Sequence, residues 1–423
     1  MSNDAPEPRD FSETNFFRTP ELFQDPYPYQ EWSRAQCPVH QERAYGAYVV
    51  TGFDEAIQVY HDTDTFSSCN TVSGPWFQFP VPLEGDDISD IIEQYRDTLP
   101  FSDQLPSFDP PKHTDHRGLL MRLITPKRLR ENEEAMWGMA DRILDGFLAD
   151  GECEFIRAFA VPFTLEVVAE LLGVPEEDRA STLDRLMHKE RPSKLEHKPL
   201  AHLDAQFTAY IEDRRRAPRA DIMTEMAQAR FADGSLPPVE DVMRIAANLF
   251  TAGSETTARL MSTCMRIFGD RPDLQEQVRA DRSLVPAFVE EALRLESPLQ
   301  GQFRLARHAT TVGGVDLPVG ACAYVMVGAA NRDPRQFDDP TEFRLDRPNG
   351  RQHVGFGHGI HTCAGAPLAR AETYVAVERF LDRTTDIRVS ESRHGTRDAR
   401  RYEYDPTYML RGLRELHLEF DPV

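Results

Sequence analysis

A chain of 423 residues with 48 lysines and arginines against 70 aspartates and glutamates carries a net charge of −22, which speaks against nucleic acid as a general partner and makes any local basic stretch informative. Hydrophobic residues make up 40% of it, enough for a sizeable core in one large domain or two. The six cysteines (Cys37, Cys69, Cys153, Cys264, Cys322 and Cys363) show no paired spacing, so no disulfide framework is proposed and a reduced, cytoplasmic setting is expected.

The chain begins with a polar, acidic stretch that has no apolar run of the signal-peptide or membrane-anchor kind, so residues 1–24 are expected to be a flexible arm. A short helix is predicted around Pro28 to Ala35, and alternating β-branched and aromatic residues at Tyr45–Val50 and Val315–Val327 predict a small sheet. From Ser67 to Pro106 the sequence is rich in proline and carries Trp76, Phe77 and Phe79. A connection this long is usually functional. A helix is predicted from the Asp109-Pro110-Pro111 start to about Leu129, with His113 and Arg117 four apart on one face, a pairing that suits an anionic carboxylate pair. Lys112 to Arg130 holds six basic residues and only one acid, Asp115, which marks Arg122, Lys127, Arg128 and Arg130 as a candidate docking surface.

Amphipathic helices follow, among them Met136–Leu148 and Phe163–Leu172, until the pattern breaks from His188 to Pro199. Val239 to Ile267 reads as one long helix with an odd centre, Thr251-Ala252-Gly253-Ser254-Glu255-Thr256-Thr257. Glycine inside a helix costs about 1 kcal/mol against alanine, so a tertiary or chemical reason is expected. Small residues allow close approach to something flat, and hydroxyls can bond back to carbonyls and loosen the helix. Further on, Glu291 and Arg294 stand at i, i+3, Leu295–Arg307 is extended after Pro298, and Asp316–Gly320 reads as a hairpin turn.

The densest signal is Phe356-Gly-His-Gly-Ile-His-Thr-Cys-Ala-Gly-Ala-Pro-Leu-Ala-Arg370. Its glycines let the backbone turn sharply around one cysteine, and helical patterning from Ala364 to Phe380 places the Cys363 thiol just before a helix whose dipole favours a thiolate. A thiolate ligand for iron in a pocket suits this arrangement. The loop resembles, nearly residue for residue, the haem-ligand loop of the cytochrome P450 family, in which a cysteine thiolate pushes electron density onto iron. Asp25-Pro26-Tyr27-Pro28, Ala252–Thr256, Glu291-x-x-Arg294 and Ala330-Asn331-Arg332-Asp333-Pro334 match other family segments in the right order.

The resemblance implies a mainly α fold with a small β region, the haem-thiolate fold, as one domain over 25–423. It implies haem b held by Cys363 as axial ligand, with Phe356, Gly357 and Gly365 shaping the loop and His113, Arg117, Arg304 and His361 binding the propionates. Ala252 and Gly253 would form the oxygen groove, Thr256 would bond the oxygen, and Glu255 would relay protons from solvent. Glu291, Arg294 and Arg347 would brace the cysteine loop. Trp76, Phe77, Phe79, Asn248, Leu299, Gln300, Gln302, Met409 and Leu410 would border the substrate, and the break at His188–Pro199 falls by order in the lid region. The activity implied is a monooxygenase that uses O2, a largely apolar small organic substrate, and electrons from NAD(P)H through a reductase and an acidic ferredoxin. A monomer is expected. The alternative from another class is a non-catalytic haem sensor or carrier, which would need neither Glu255-Thr256 nor a basic docking patch.

Overall fold

The structure, a computed structural model, describes residues 10–179 and 201–423. The break at His188–Pro199 lies outside the described residues. Among the described residues the fold is mainly α, with ten strands in three small sheets. The strands, β1 (Val39–Gln41), β2 (Tyr48–Val50), β3 (Phe66–Ser67), β4 (Glu152–Glu154), β5 (Gly301–Ala306), β6 (Thr310–Val312), β7 (Val315–Leu317), β8 (Cys322–Met326), β9 (Thr384–Val389) and β10 (His417–Pro422), pair in the orders β1-β2-β8-β5-β3, β4-β10-β9 and β6-β7.

The core is built around the central helix Val239–Asp270, 32 residues long and with 20 of them buried. A helix with that share of its residues buried runs through the body of the protein. It packs on the cysteine helix Ala366–Arg383 and on the helix Val161–Leu172. Phe155, Phe159 and Phe163, spaced four apart, form a stacked column with ring centroids 5.6 and 5.3 Å apart, and Phe159 meets Phe380 of the cysteine helix edge-on at 5.0 Å. That column fixes the C-terminal half of the cysteine helix against the core.

Two expectations need correction. The arm is packed from residue 10 onward: Phe11, Phe16, Phe17 and Leu22 are buried, and the Phe17 ring meets those of Trp76, Tyr324 and Tyr408. Three phenylalanines in that stretch carry more apolar surface than a solvated arm can leave exposed. The helix expected over Asp109–Leu129 is two, Lys112–Met121 and Pro126–Asp145. Pro126 lacks an N–H and drives its predecessor out of the helical region, so Thr125 is extended (ψ 151°) and its hydroxyl caps the second helix by accepting from Arg128 N.

Candidate active site

Cys363 closes a turn in which its own N–H donates to Phe356 O at 2.8 Å and Gly357 N–H to Val354 O at 2.9 Å. Gly357 and Gly359 both sit at φ +68°, and a Cβ on Gly359 would come within 2.5 Å of Tyr60 O, so any side chain there would push the loop off its neighbour. The Cys363 side chain is surrounded by protein yet has exposed surface, which places the sulfur against an internal space. Burial pushes the thiol pKa up, against the pull of the Gly365 and Ala366 N–H groups and the charges of Arg117 and Arg370. The helix start favours the thiolate as expected, through those two N–H groups, but burial outweighs it in the free thiol. The thiol gives up its proton when a metal takes it, as metal sites require.

Two ion networks hold the loop. Arg294, with none of its side chain exposed, donates to both oxygens of Glu291 at 2.8 Å and to the carbonyls of Asn331 and Pro340, while Arg347 Nε reaches Glu291 Oε1 at 2.9 Å. In the second, Glu290 is met by Arg370 Nε at 2.5 Å and His353 Nε2 at 2.9 Å, and the Arg370 guanidinium lies 4.6 Å from the Phe356 ring centroid. The first network contains the i, i+3 pair Glu291 and Arg294 together with Arg347, as the family resemblance implies. The second is not legible in the sequence, because nothing in the spacing links Glu290 to residues 63 and 80 positions later.

Four donors converge beside the loop. Arg117 donates to Thr362 O at 2.7 Å, the rings of His113 and His361 are 4.2 Å apart, His361 Nε2 lies 3.0 Å from Ser68 Oγ, and Arg304 donates to Thr71 Oγ1 at 2.9 Å. Burial, aided by the charge of Arg304, holds His361 down to about 2; burial and Arg117 hold His113 down to about 4. His113 Nε2 is sealed from solvent without a partner. Two arginines beside two histidines held neutral, one with a buried ring nitrogen that has no partner, suit an anionic group placed among them.

On the central helix a stripe breaks the burial. Asn248, Thr251 and Thr256 are half-buried, Ala252 and Glu255 are exposed, and residues on both sides of the stripe are buried. The hydroxyls of Thr251, Ser254 and Thr256 donate back to the carbonyls of Ala247, Phe250 and Ala252 at 2.8–3.1 Å, and half-buried Gly253 lies against Val168, where an added Cβ would come within 3.4 Å of Cγ2. The central helix packs on the cysteine helix, and the stripe on the one and the thiol just before the start of the other both carry accessible surface.

The comparisons agree with this geometry. Residues 193–385 match the family model described as Cytochrome P450. "Cytochrome P450 144" of Mycobacterium tuberculosis (strain CDC 1551 / Oshkosh) is 35% identical over 394 residues, covering 90% of this chain and 87% of that protein. "Cytochrome P450 monooxygenase PikC" of Streptomyces venezuelae is 30% identical over 405 residues, covering 94% and 91%. Among solved structures, Mycobacterium marinum CYP150A6 in the substrate-free form superposes with a TM-score of 0.94 at 50% identity over 98% of this chain and 100% of that one. The chain belongs to the cytochrome P450 family. It is a haem-thiolate monooxygenase, with haem b as cofactor and O2 as co-substrate.

The residues present fit that cofactor: a cysteine sulfur facing an internal space, a donor cluster short of an anion, and a small-residue helix stripe. The expected P450 pocket residues separate into groups. Leu299 bridges Leu410 across the chain, and Gln300 N–H donates to Met409 O at 2.7 Å, so Leu299, Met409 and Leu410 are brought together. Gln302 shares a strand face with Arg304, since side chains alternate along β5.

Trp76, Phe77 and Phe79 lie on the other face, which corrects the expectation for all three. The Trp76 ring packs edge-on to Phe303 at 5.6 Å and beside Tyr408 at 5.2 Å. Phe77 and Phe79 meet each other edge-on and join Leu305, Leu83 and Val319. Sequence shows that these rings need burial, but the strand's alternation decides on which side they find it.

Gln300 is also corrected: its amide donates to Ser297 O at 2.8 Å and accepts from Gln30 at 3.1 Å, so it is tied into the scaffold. Asn248 donates to Gln104 Oε1 at 3.0 Å, and Glu255 is bound by Arg259, four residues on, at 2.6 Å. Gln104 and Arg259 carried no signal of their own, since only folding sets them beside the accessible stripe.

Proposed function

We propose that this P450 inserts one atom of O2 into a largely apolar small organic substrate, taking electrons from NAD(P)H through a reductase and an acidic ferredoxin. The balance is RH + O2 + two electrons + two protons giving ROH + H2O. Bound haem supplies oxygen activation and transfer. The protein supplies the Cys363 thiolate, the donor set His113, Arg117, Arg304 and His361 for the propionates, and the groove at Ala252 and Gly253. Thr256, whose hydroxyl donates to Ala252 O, would offer that hydroxyl to the reacting oxygen. Glu255, 47% exposed, swings between solvent and the Thr256 side of the helix to move protons inward, and Arg259 holds it between turnovers.

The observation that carries the reading is the exposed carboxylate beside a back-bonded hydroxyl in the middle of a buried helix, an arrangement that a passive haem carrier does not need. Leu299, Met409, Leu410 and Gln302 supply the substrate wall. The electron donor meets the exposed groups Met121, Arg122, Lys127 and Arg130, one turn beyond Arg117. Arg128 is left out of that patch, because only 13% of its side chain is exposed and it is paired with Glu225. Among the described residues, no helix is long and apolar enough to cross a membrane.

The test is a carbon monoxide difference spectrum of the reduced protein, followed by NADPH-, reductase- and ferredoxin-dependent turnover. A thiolate-type band with substrate-dependent NADPH use is expected. A thiolate-type band with no turnover for any ferredoxin or substrate tried would favour the carrier. Charge reversal at Arg122 and Lys127 is expected to slow reduction and weaken its salt dependence.

A further inference from the structure

The accessible stripe of the central helix begins at Asn248, and the direction of that amide is set by a chain of polar groups. Arg244, one turn earlier, is held by Asp204 through two hydrogen bonds at 2.6 and 2.8 Å. Its Nε lies 2.8 Å from Asp103 Oδ2. The other oxygen, Asp103 Oδ1, accepts from Gln104 Nε2 at 2.9 Å, and Gln104 Oε1 in turn accepts from Asn248 Nδ2 at 3.0 Å. An ion-paired carboxylate only accepts, so Gln104 has to turn its NH2 group toward Asp103 and its oxygen toward Asn248. Asn248 must then offer its NH2 group to Gln104, and its own oxygen is left over. Among the described residues nothing donates to Asn248 Oδ1, and the atom is not sealed from solvent.

We propose that Asn248 Oδ1 is the specificity-determining acceptor of the substrate site, and that the substrate is an elongated apolar molecule carrying a hydroxyl group that donates to it. Asp103, Gln104 and Arg244 are positioning residues that keep the amide from turning over. Asn248 stands eight residues before Thr256, so the hydroxyl lies about 12 Å along the helix from the carbon that is oxidised. This inference rests on the monooxygenase reading and adds the substrate class to it.

The test uses the haem-loaded enzyme and two pairs of probes of about that length, each an alcohol against an analogue that can only accept: 5α-androstan-3β-ol against 5α-androstan-3-one, and dodecan-1-ol against its methyl ether. Affinities are read from the optical spin-state shift and by equilibrium dialysis. In the unsubstituted enzyme at least one alcohol is expected to bind about five- to tenfold more tightly than its partner, the worth of one hydrogen bond. Asn248→Leu removes that preference, and Gln104→Leu, which frees the amide to turn, erodes it, while both leave binding of the acceptor-only probes in place. The proposal is overturned if the alcohols bind no better than their partners, if neither alcohol binds, or if the preference survives Asn248→Leu. The unsubstituted enzyme alone decides the matter should a variant fail to load haem. A protein without a thiolate-type carbon monoxide band would instead defeat the underlying reading.

Discussion

On the cysteine side of the molecule, position is held by buried charge. Arg294 and Arg347 converge on Glu291, and Arg370 and His353 on Glu290, with every oxygen of both carboxylates engaged. Across from it, the central helix is held by its own backbone, by packing on either side of the accessible stripe, and by amide and ion contacts that reach loops far off in sequence. A side that must keep one sulfur in one place benefits from contacts that are costly to break. A side that must admit a substrate and move protons keeps the stripe it presents small and accessible, with its buried ion pairs at Arg244 and Arg259 set to either side.

Breaking the cysteine-side networks should therefore cost stability, whereas altering the accessible stripe of the helix should cost chemistry. Glu291→Ala leaves Arg294 and Arg347 buried without their counter-charge, and the expected loss is about 3–5 kcal/mol together with failure to retain haem, measured by denaturant unfolding and the Soret band. Little change in either measurement would end the idea that this network braces the loop.

Glu290 sharpens the same side through pH. Burial works to raise its carboxyl pKa, but hydrogen bonds from His353 and Arg370 and the charge of Arg370 hold it at about 2, below the ordinary 4.5. The unfolded chain therefore takes up this proton first, so the stabilisation is fully present above pH 4.5 and is lost as pH falls toward 2. Its size is about 3 kcal/mol, and Glu290→Gln should lose that much at neutral pH and flatten this part of the acid-unfolding curve.

The smallest structural effect belongs to Thr256→Ala, whose hydroxyl bonds only its own helix at Ala252 O. Stability should change by no more than about 0.5 kcal/mol, haem and substrate should still bind, and reducing equivalents should appear as hydrogen peroxide instead of product. Coupling equal to that of the unsubstituted enzyme would remove Thr256 from the proposed chemistry.

Taken by itself, the sequence determined the elements whose cause is local. The glycines around Cys363, the small residues and hydroxyls at Thr251–Thr257, and the i, i+3 pair Glu291 and Arg294 all state their constraint within one turn of chain, because backbone conformation and helix faces follow from neighbouring residues. Tertiary structure decided the rest. The side of β5 on which Trp76 lies, the turning of Gln300 into the scaffold, the rise of the Cys363 pKa by burial and the Arg244–Asp103–Gln104–Asn248 chain each depend on segments meeting across long stretches of sequence. Burial, and the partner a polar group finds when it is buried, belong to the packed chain as a whole, and no window of residues carries them.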